Sequence, residues 1–182
     1  GGGKIISLDS GEEMLSIKIP KVYLQSLSWS PDGTVLLSSG KEDGTVRFWD
    51  AASGEEINSI DGLVQAYGSD WSPCGDYAAI AGADGNIRVW NKTTRRQIES
   101  IKITRGYVVY AKFSPNGKHI LVFGGDHQVK IVERSSARIA NHFNSHGFVT
   151  NVSWSPDGRK FAFGILVPPD YPTNIYDSEK GE

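Results

Sequence analysis

Trp29-Ser-Pro-Asp-Gly33 decides the fold, because the pattern returns as Trp71-Ser-Pro-Cys-Gly75, Phe113-Ser-Pro-Asn-Gly117 and Trp154-Ser-Pro-Asp-Gly158. The period is about 42 residues, and self-similarity at such a period marks an array of like units. Each copy reads as a tight turn. Proline presets φ, the residue after it can bond the local backbone, and glycine accepts positive φ. Downstream of each turn comes an alternating stretch: Thr45-Val-Arg-Phe-Trp-Asp50, Asn86-Ile-Arg-Val-Trp-Asn91, Gln128-Val-Lys-Ile-Val-Glu133 and Thr173-Asn-Ile-Tyr-Asp177. Asp43-Gly44 and Asp84-Gly85 supply a second hairpin turn before the first two of these stretches. Asp126-His127 stands at that place in the third copy, with His127 for the turn glycine.

Alternation and turn punctuation divide each unit into four short strands, a to d; in the first complete unit these cover about 22–29, 34–39, 45–50 and 55–60. No stretch carries sustained helical periodicity. Strands this short are not stable alone, so the units must stack and bury both faces. Four-stranded units at this period make β-propeller blades, and the expected class is all-β.

The sequence resembles the WD40-repeat family over nearly its whole length. Trp49-Asp50, the weaker Trp90-Asn91, the four Ser-Pro-x-Gly turns and the Asp-Gly pairs carry the likeness. The family's Gly-His dipeptide between strands d and a is absent from all four copies, with His146 its nearest remnant. The family's network of buried Trp, Ser or Thr, His and Asp is therefore expected to be incomplete in every blade. A second resemblance is to propellers of periplasmic and peptidase-associated proteins, where Trp154-Ser-Pro-Asp-Gly-Arg-Lys-Phe-Ala-Phe163 and Ile175-Tyr-Asp177 would also fit.

The expected organisation is a half blade over 1–19, blades over 22–60, 63–103 and 107–143, and a partial blade over 148–182. Three arrangements are consistent with that frame. The favoured one is part of a larger ring, seven blades being common in the family; the others are a four-bladed ring and half of a dimeric ring. An open arc would expose apolar blade faces, so self-association through them is expected.

Composition excludes several functions. Of 182 residues, 19 are Lys or Arg and 21 Asp or Glu, a net charge of -2, which argues against a strongly basic nucleic-acid protein. One cysteine, Cys74, excludes an intramolecular disulfide framework and a thiolate zinc site. No apolar run approaches a bilayer-spanning length, and the start lacks a signal-peptide layout, so the reading is intracellular, in the cytoplasm. There is no phosphate-binding Gly-x-x-x-x-Gly-Lys-Ser/Thr loop, no His-Glu-x-x-His and no Gly-x-Ser-x-Gly. His142 and His146 could face one side of an extended strand, but no carboxylate sits beside them. Arg47 with Trp49 and Arg88 with Trp90 share faces of strand c, as cation–π pairs or as contacts between blades. Thr93-Thr-Arg-Arg-Gln97 is a short basic spot on a c–d turn. No catalytic residue, cofactor or metal is expected.

The expected function is a non-catalytic scaffold that docks a peptide or protein on the top face, where the d–a and b–c loops open. The alternative is an accessory or substrate-gating propeller of a larger enzyme such as a hydrolase or peptidase. The WD40 resemblance implies that the first residues of strand a, and the residue before the b–c Asp, look onto that face. Here these include Lys21, Tyr23, Glu42, Gln65, Arg105, Tyr107, His146 and Phe148; aromatic and Arg side chains anchor interfaces. The same aromatics could instead plug the d–a corners. Prolines 168, 169 and 172 should open the fourth b–c hairpin into a stiff loop, with Tyr171 as a further contact residue or the loop as an edge cover.

Overall fold

The computed structural model describes residues 2–19, 23–166 and 174–177, every element among them a strand. A two-stranded ribbon pairs β1 (Gly2–Ile6) with β2 (Glu13–Lys18). The first four-stranded sheet runs β3 (Leu24–Trp29), β4 (Val35–Gly40), β5 (Val46–Asp50) and β6 (Glu56–Ile60). The second runs β7 (Ala66–Trp71), β8 (Tyr77–Gly82), β9 (Asn86–Asn91) and β10 (Arg96–Lys102). The third runs β11 (Val108–Phe113), β12 (His119–Gly124), β13 (Gln128–Glu133) and β14 (Arg138–Asn144). A three-stranded sheet follows, β15 (Phe148–Trp154), β16 (Lys160–Leu166) and β17 (Asn174–Asp177). All neighbours are antiparallel and in sequence order, as in propeller blades; the described blades do not close a ring.

The four Ser-Pro-x-Gly segments join the first two strands of their sheets, with glycine φ values of 70, 77, 69 and 70°. The serine does more in them than sequence inspection credits. Ser30 Oγ accepts from Val35 N at 2.9 Å and donates to Asp32 Oδ1 at 2.6 Å. Ser72, Ser114 and Ser155 accept in the same way from Tyr77, His119 and Lys160. Each hydroxyl thus closes the turn from inside, which is why Ser30, Ser72 and Ser114 are buried. The turns also touch across blades: the α-carbons of Gly75, Gly117 and Gly158 face the rings of Pro31, Pro73 and Pro115.

The core is a series of slabs between neighbouring sheets. Val35, Leu37, Val46 and Phe48 meet Ala66, Trp71, Ala78 and Ile80; the next slabs centre on Ile87, Val108 and Ile120, then on Phe123, Phe143 and Phe161. Ile17 and Ile19 beside the ribbon cover Leu36 and Trp49. Strand pairing fixes which side chains enter which slab, because successive residues point to opposite faces. The innermost strands are also tied by side chains. Trp71 Nε1 donates to Ser28 O and Trp154 Nε1 to Lys112 O, both at 3.2 Å. Trp71 meets Phe48 edge-on at 5.9 Å.

Each complete outer strand skips one residue in its pairing, at Ile57, Ile98 and Ala140. Such bulges blunt an exposed edge. The innermost strands β3, β7, β11 and β15 carry bulges too, at Gln25, Tyr67-Gly68, Val109 and Thr150.

Candidate protein-docking face

The b–c turns are held by one device repeated three times: an aspartate paired with a cation four residues on. Arg47 Nη2 lies 2.7 Å from Asp43 Oδ2, Arg88 grips Asp84 with both terminal nitrogens, and Lys130 pairs with Asp126. Lys130 Nζ also donates to Ile103 O at 2.9 Å, tying the turn to the neighbouring d–a loop. The Arg88 hydrogen bonds outweigh burial and hold the Asp84 carboxyl down at about 2. At Asp43 burial pushes the carboxyl up, but Arg47 and the Thr45 amide outweigh it and leave it below its ordinary value. Arg47 also approaches Glu56 at 3.4 Å. Arg47 and Arg88 are therefore engaged by carboxylates within their own sheets, and the cation–π contacts form elsewhere. Lys92 lies 5.6 Å over Trp71, and the Arg134 guanidinium 3.8 Å over Tyr77.

Glycine is demanded where these turns meet the d–a loops. A Cβ on Gly44 would lie 1.9 Å from Leu63 O, and one on Gly85 2.2 Å from Thr104 O, with φ at 61 and 78°. His127 takes the third such place at φ 57°, with Nδ1 3.3 Å from Gly147 O. It occupies the turn position that glycine holds in the first two copies.

Around these turns lies a partly exposed aromatic cluster. Tyr67 and Tyr107 meet at 6.1 Å between ring centroids, Lys41 Nζ sits 5.8 Å over Tyr67, and Tyr67 Oη donates to Gln65 Oε1 at 2.5 Å. The Tyr107 ring rests on Gly125, where a Cβ would come within 2.8 Å of it. The backbone carbonyls of Tyr23, Gln65 and Tyr107 accept from Lys41 N, Ala83 N and Gly125 N, so these three occupy equivalent positions in their blades.

Of the residues expected on this face, Tyr23 is 72% exposed, and Glu42, Arg105 and His146 are exposed. Gln65 is half-buried and Tyr107 partly exposed; Tyr67 brings the two together. Phe148 is 39% exposed and packs edge-on against Phe123 at 5.8 Å, so it also fills its corner. Lys21 and Tyr171 lie outside the described residues, as does most of the proline-rich segment. Lys41 and Tyr67 were missed by reading positions from the tryptophan. Tyr67 sits in the β7 bulge, where strict alternation fails.

Inside this rim, a cavity of about 260 Å³ runs along the innermost strands, lined by residues including Leu27, Tyr67, Ser69, Tyr110, Lys112 and Asn151. Ser28, Asp70 and Lys112 form a row across three blades: Ser28 Oγ donates to Asp70 Oδ1 at 3.4 Å, Lys112 Nζ lies 3.3 Å from it, and Phe113 N donates to Oδ2 at 3.0 Å. Burial raises the Asp70 carboxyl above its ordinary value, and these partners offset it only in part.

His142 lies in β14, whereas His146 lies beyond the strand at φ 55°, so the two do not share a strand face. Among the described residues no three His, Cys, Asp or Glu side chains gather to hold a metal. Cys74 is exposed, its Sγ 3.2 Å from Ser72 Oγ. Among the same residues no helix is long and apolar enough to cross a membrane.

The family model of the WD domain, G-beta repeat, matches residues 18–50, 53–91 and 137–164, together more than half the chain. The chain belongs to the WD40-repeat family. A probable cytosolic iron-sulfur protein assembly protein CIAO1 homolog of Schistosoma japonicum is 36% identical over 83 residues, 43% of this chain and 23% of that protein. The anaphase-promoting complex subunit cdh1 of Dictyostelium discoideum is 25% identical over 142 residues, 76% of this chain and 19% of that protein. The small ribosomal subunit protein RACK1 of Medicago sativa is 30% identical over 81 residues, 44% of this chain and 24% of that protein. The chain thus spans about a quarter or less of the length of these relatives. Its third sheet is built as its neighbours are, with Val132-Glu133 where the first WD40 repeat has Trp49-Asp50.

Where the family network survives, it survives in part. Trp49 Nε1 donates to Ser38 Oγ at 2.9 Å in the first complete blade. Arg47, opposite Ser38 in the ladder, takes Asp43. In the next blade Ile80 lies opposite Arg88, where Ser38 lies opposite Arg47, and the buried Trp90 Nε1 has no partner. The third blade is apolar there, with Val122 and Val132.

Proposed function

We propose that this chain is a non-catalytic interaction scaffold, working in the cytoplasm, whose top face docks an extended segment of a partner protein. The observation that carries the reading is the cluster of Lys41, Gln65, Tyr67 and Tyr107, with Tyr23 beside it. Tyrosines present large rigid contact area at low entropic cost, which suits the centre of an interface. The neutralised Asp–cation pairs keep the b–c turns rigid, so the face is organised before a partner arrives. The printed names of the relatives agree with work in assemblies: one is a complex subunit, another a ribosomal subunit protein. Arg105, Glu42, His146, Phe148, Lys21 and Tyr171 form the outer part of the proposed surface.

The test is co-precipitation of partners with the intact protein and with a Tyr67→Ala/Tyr107→Ala variant whose melting temperature is measured alongside. Capture should fall at least about tenfold while the folded fraction is retained, since aromatic anchors of this kind are worth about 2 kcal/mol or more. Undiminished capture by the folded variant would refute the docking face.

A further inference from the structure

The outer crevice between the first and second complete sheets joins two features that the proposed top face does not use. It is a cavity of about 280 Å³ whose floor includes Val35, Phe48, Ile57 and Trp90, and whose rim includes Asn58 and Arg95. Ile57 is the bulged residue of the edge strand β6 and stays 40% exposed there, although an isoleucine gains by burial. Cavities that take drug-sized molecules begin at about 300 Å³, so this one fits a single large side chain rather than a cofactor.

Arg95 is the second feature. It holds φ 54° in a c–d turn, the left-handed corner that Gly11 and Gly54 take in the two preceding c–d turns. Glycine satisfies that corner without strain, so the turn itself has no use for an arginine. The Arg95 side chain makes no ion pair among the described residues, whereas the other cation of the rim, Lys92, is engaged by Asp32 Oδ2 at 2.9 Å. No carboxylate lines the crevice. The radially equivalent crevice one blade on differs in both respects: it has Tyr77 under the Arg134 guanidinium, and Glu99 and Glu133 among its lining cations.

An apolar floor beside an uncommitted guanidinium and amide groups selects an apolar group next to a carboxylate. We infer that this crevice is a second docking site, which takes a partner peptide bearing a large aliphatic side chain adjacent to an acidic residue. The aliphatic group lies over Ile57, Phe48 and Trp90, and the carboxylate pairs with Arg95. The bulge at Ile57 disfavours addition of a further strand to the β6 edge, so the peptide is held by side chains rather than by backbone pairing.

Fluorescein-labelled dodecapeptides, Gly-Ser throughout except for a central Leu-Asp, Ser-Asp or Leu-Lys pair, test this by anisotropy with the full chain. The Leu-Asp peptide should bind saturably and at least about tenfold more tightly than either control, a charge-assisted hydrogen bond and a buried leucine each being worth that much. Arg95→Gly should keep or raise the melting temperature, as the left-handed corner prefers glycine, and should abolish the preference for Asp over Lys. Ile57→Ser should weaken the Leu-Asp peptide, and Tyr107→Ala should leave it unchanged. Absence of saturable binding, or an Asp preference that survives Arg95→Gly, overturns the inference. So does loss of binding on Tyr107→Ala, which would move the peptide to the top face.

Discussion

Ser38 and Trp49 allow the stacking of blades to be tested through one hydrogen bond. Ser38 is 1% exposed, Trp49 is 4% exposed, and the indole N–H donates to the hydroxyl at 2.9 Å. Ser38→Ala leaves the buried indole N–H without an acceptor, which costs about 1–3 kcal/mol. In a Trp49→Phe background there is no donor left to strand, so the same change should cost close to nothing, giving a coupling of about 1–2 kcal/mol. The next blade is an internal control. Trp90 Nε1 is already buried without a partner, so Trp90→Phe removes an unsatisfied donor and loses only packing. Trp49→Phe should then be the more destabilising of the two by about 1 kcal/mol or more. Urea unfolding followed by far-UV circular dichroism measures all of these on one scale. Equal costs for the two tryptophans, or a Ser38→Ala cost unchanged by Trp49→Phe, would refute the reasoning.

Acid titration and turn substitution test the b–c turns. Asp84 titrates lower in the folded chain, at about 2 against an ordinary 3.8, so its stabilisation is full above the ordinary value and drains as pH falls between the two. Asp84→Asn should cost about 1–2 kcal/mol at neutral pH and flatten the stability profile over that acid range, as read by chemical unfolding from pH 2 to 6. Gly85→Ala should cost more than about 2 kcal/mol, because its Cβ would strike Thr104 O at 2.2 Å at a φ of 78°. His127→Gly, the exchange in the other direction at the third turn, should stay within about 1 kcal/mol of the parent in the same thermal melts.

The fold was legible because period, turn and alternation all point to one unit. Trp29-Ser-Pro-Asp-Gly33 and its copies place the first turn of each sheet where the structure has it, and Trp49-Asp50 marks the third strand. Less legible was what single side chains do once blades stack. The turn serines look merely polar in sequence, yet their hydroxyls close each turn. Arg47 next to Trp49 suggested a cation–π pair or a contact between blades, but Asp43 on the adjoining turn reaches it first. Tyr67 escaped notice because a bulge breaks the alternation that sequence inspection relies on. Pairings such as Tyr67 with Tyr107 depend on the angle between blades, which no local pattern encodes.

The central claim is that a partner lies across the top face, and site-specific photocrosslinking tests it most directly. A benzophenone amino acid is placed singly at Tyr23 and Tyr107 on the top, and at Asn116 and Ser155 in the opposite turns. The account predicts that one partner crosslinks from both top positions, through one contiguous segment identified by mass spectrometry, and from neither opposite position. Crosslinks of that partner from Asn116 or Ser155, with none from Tyr107, would contradict it.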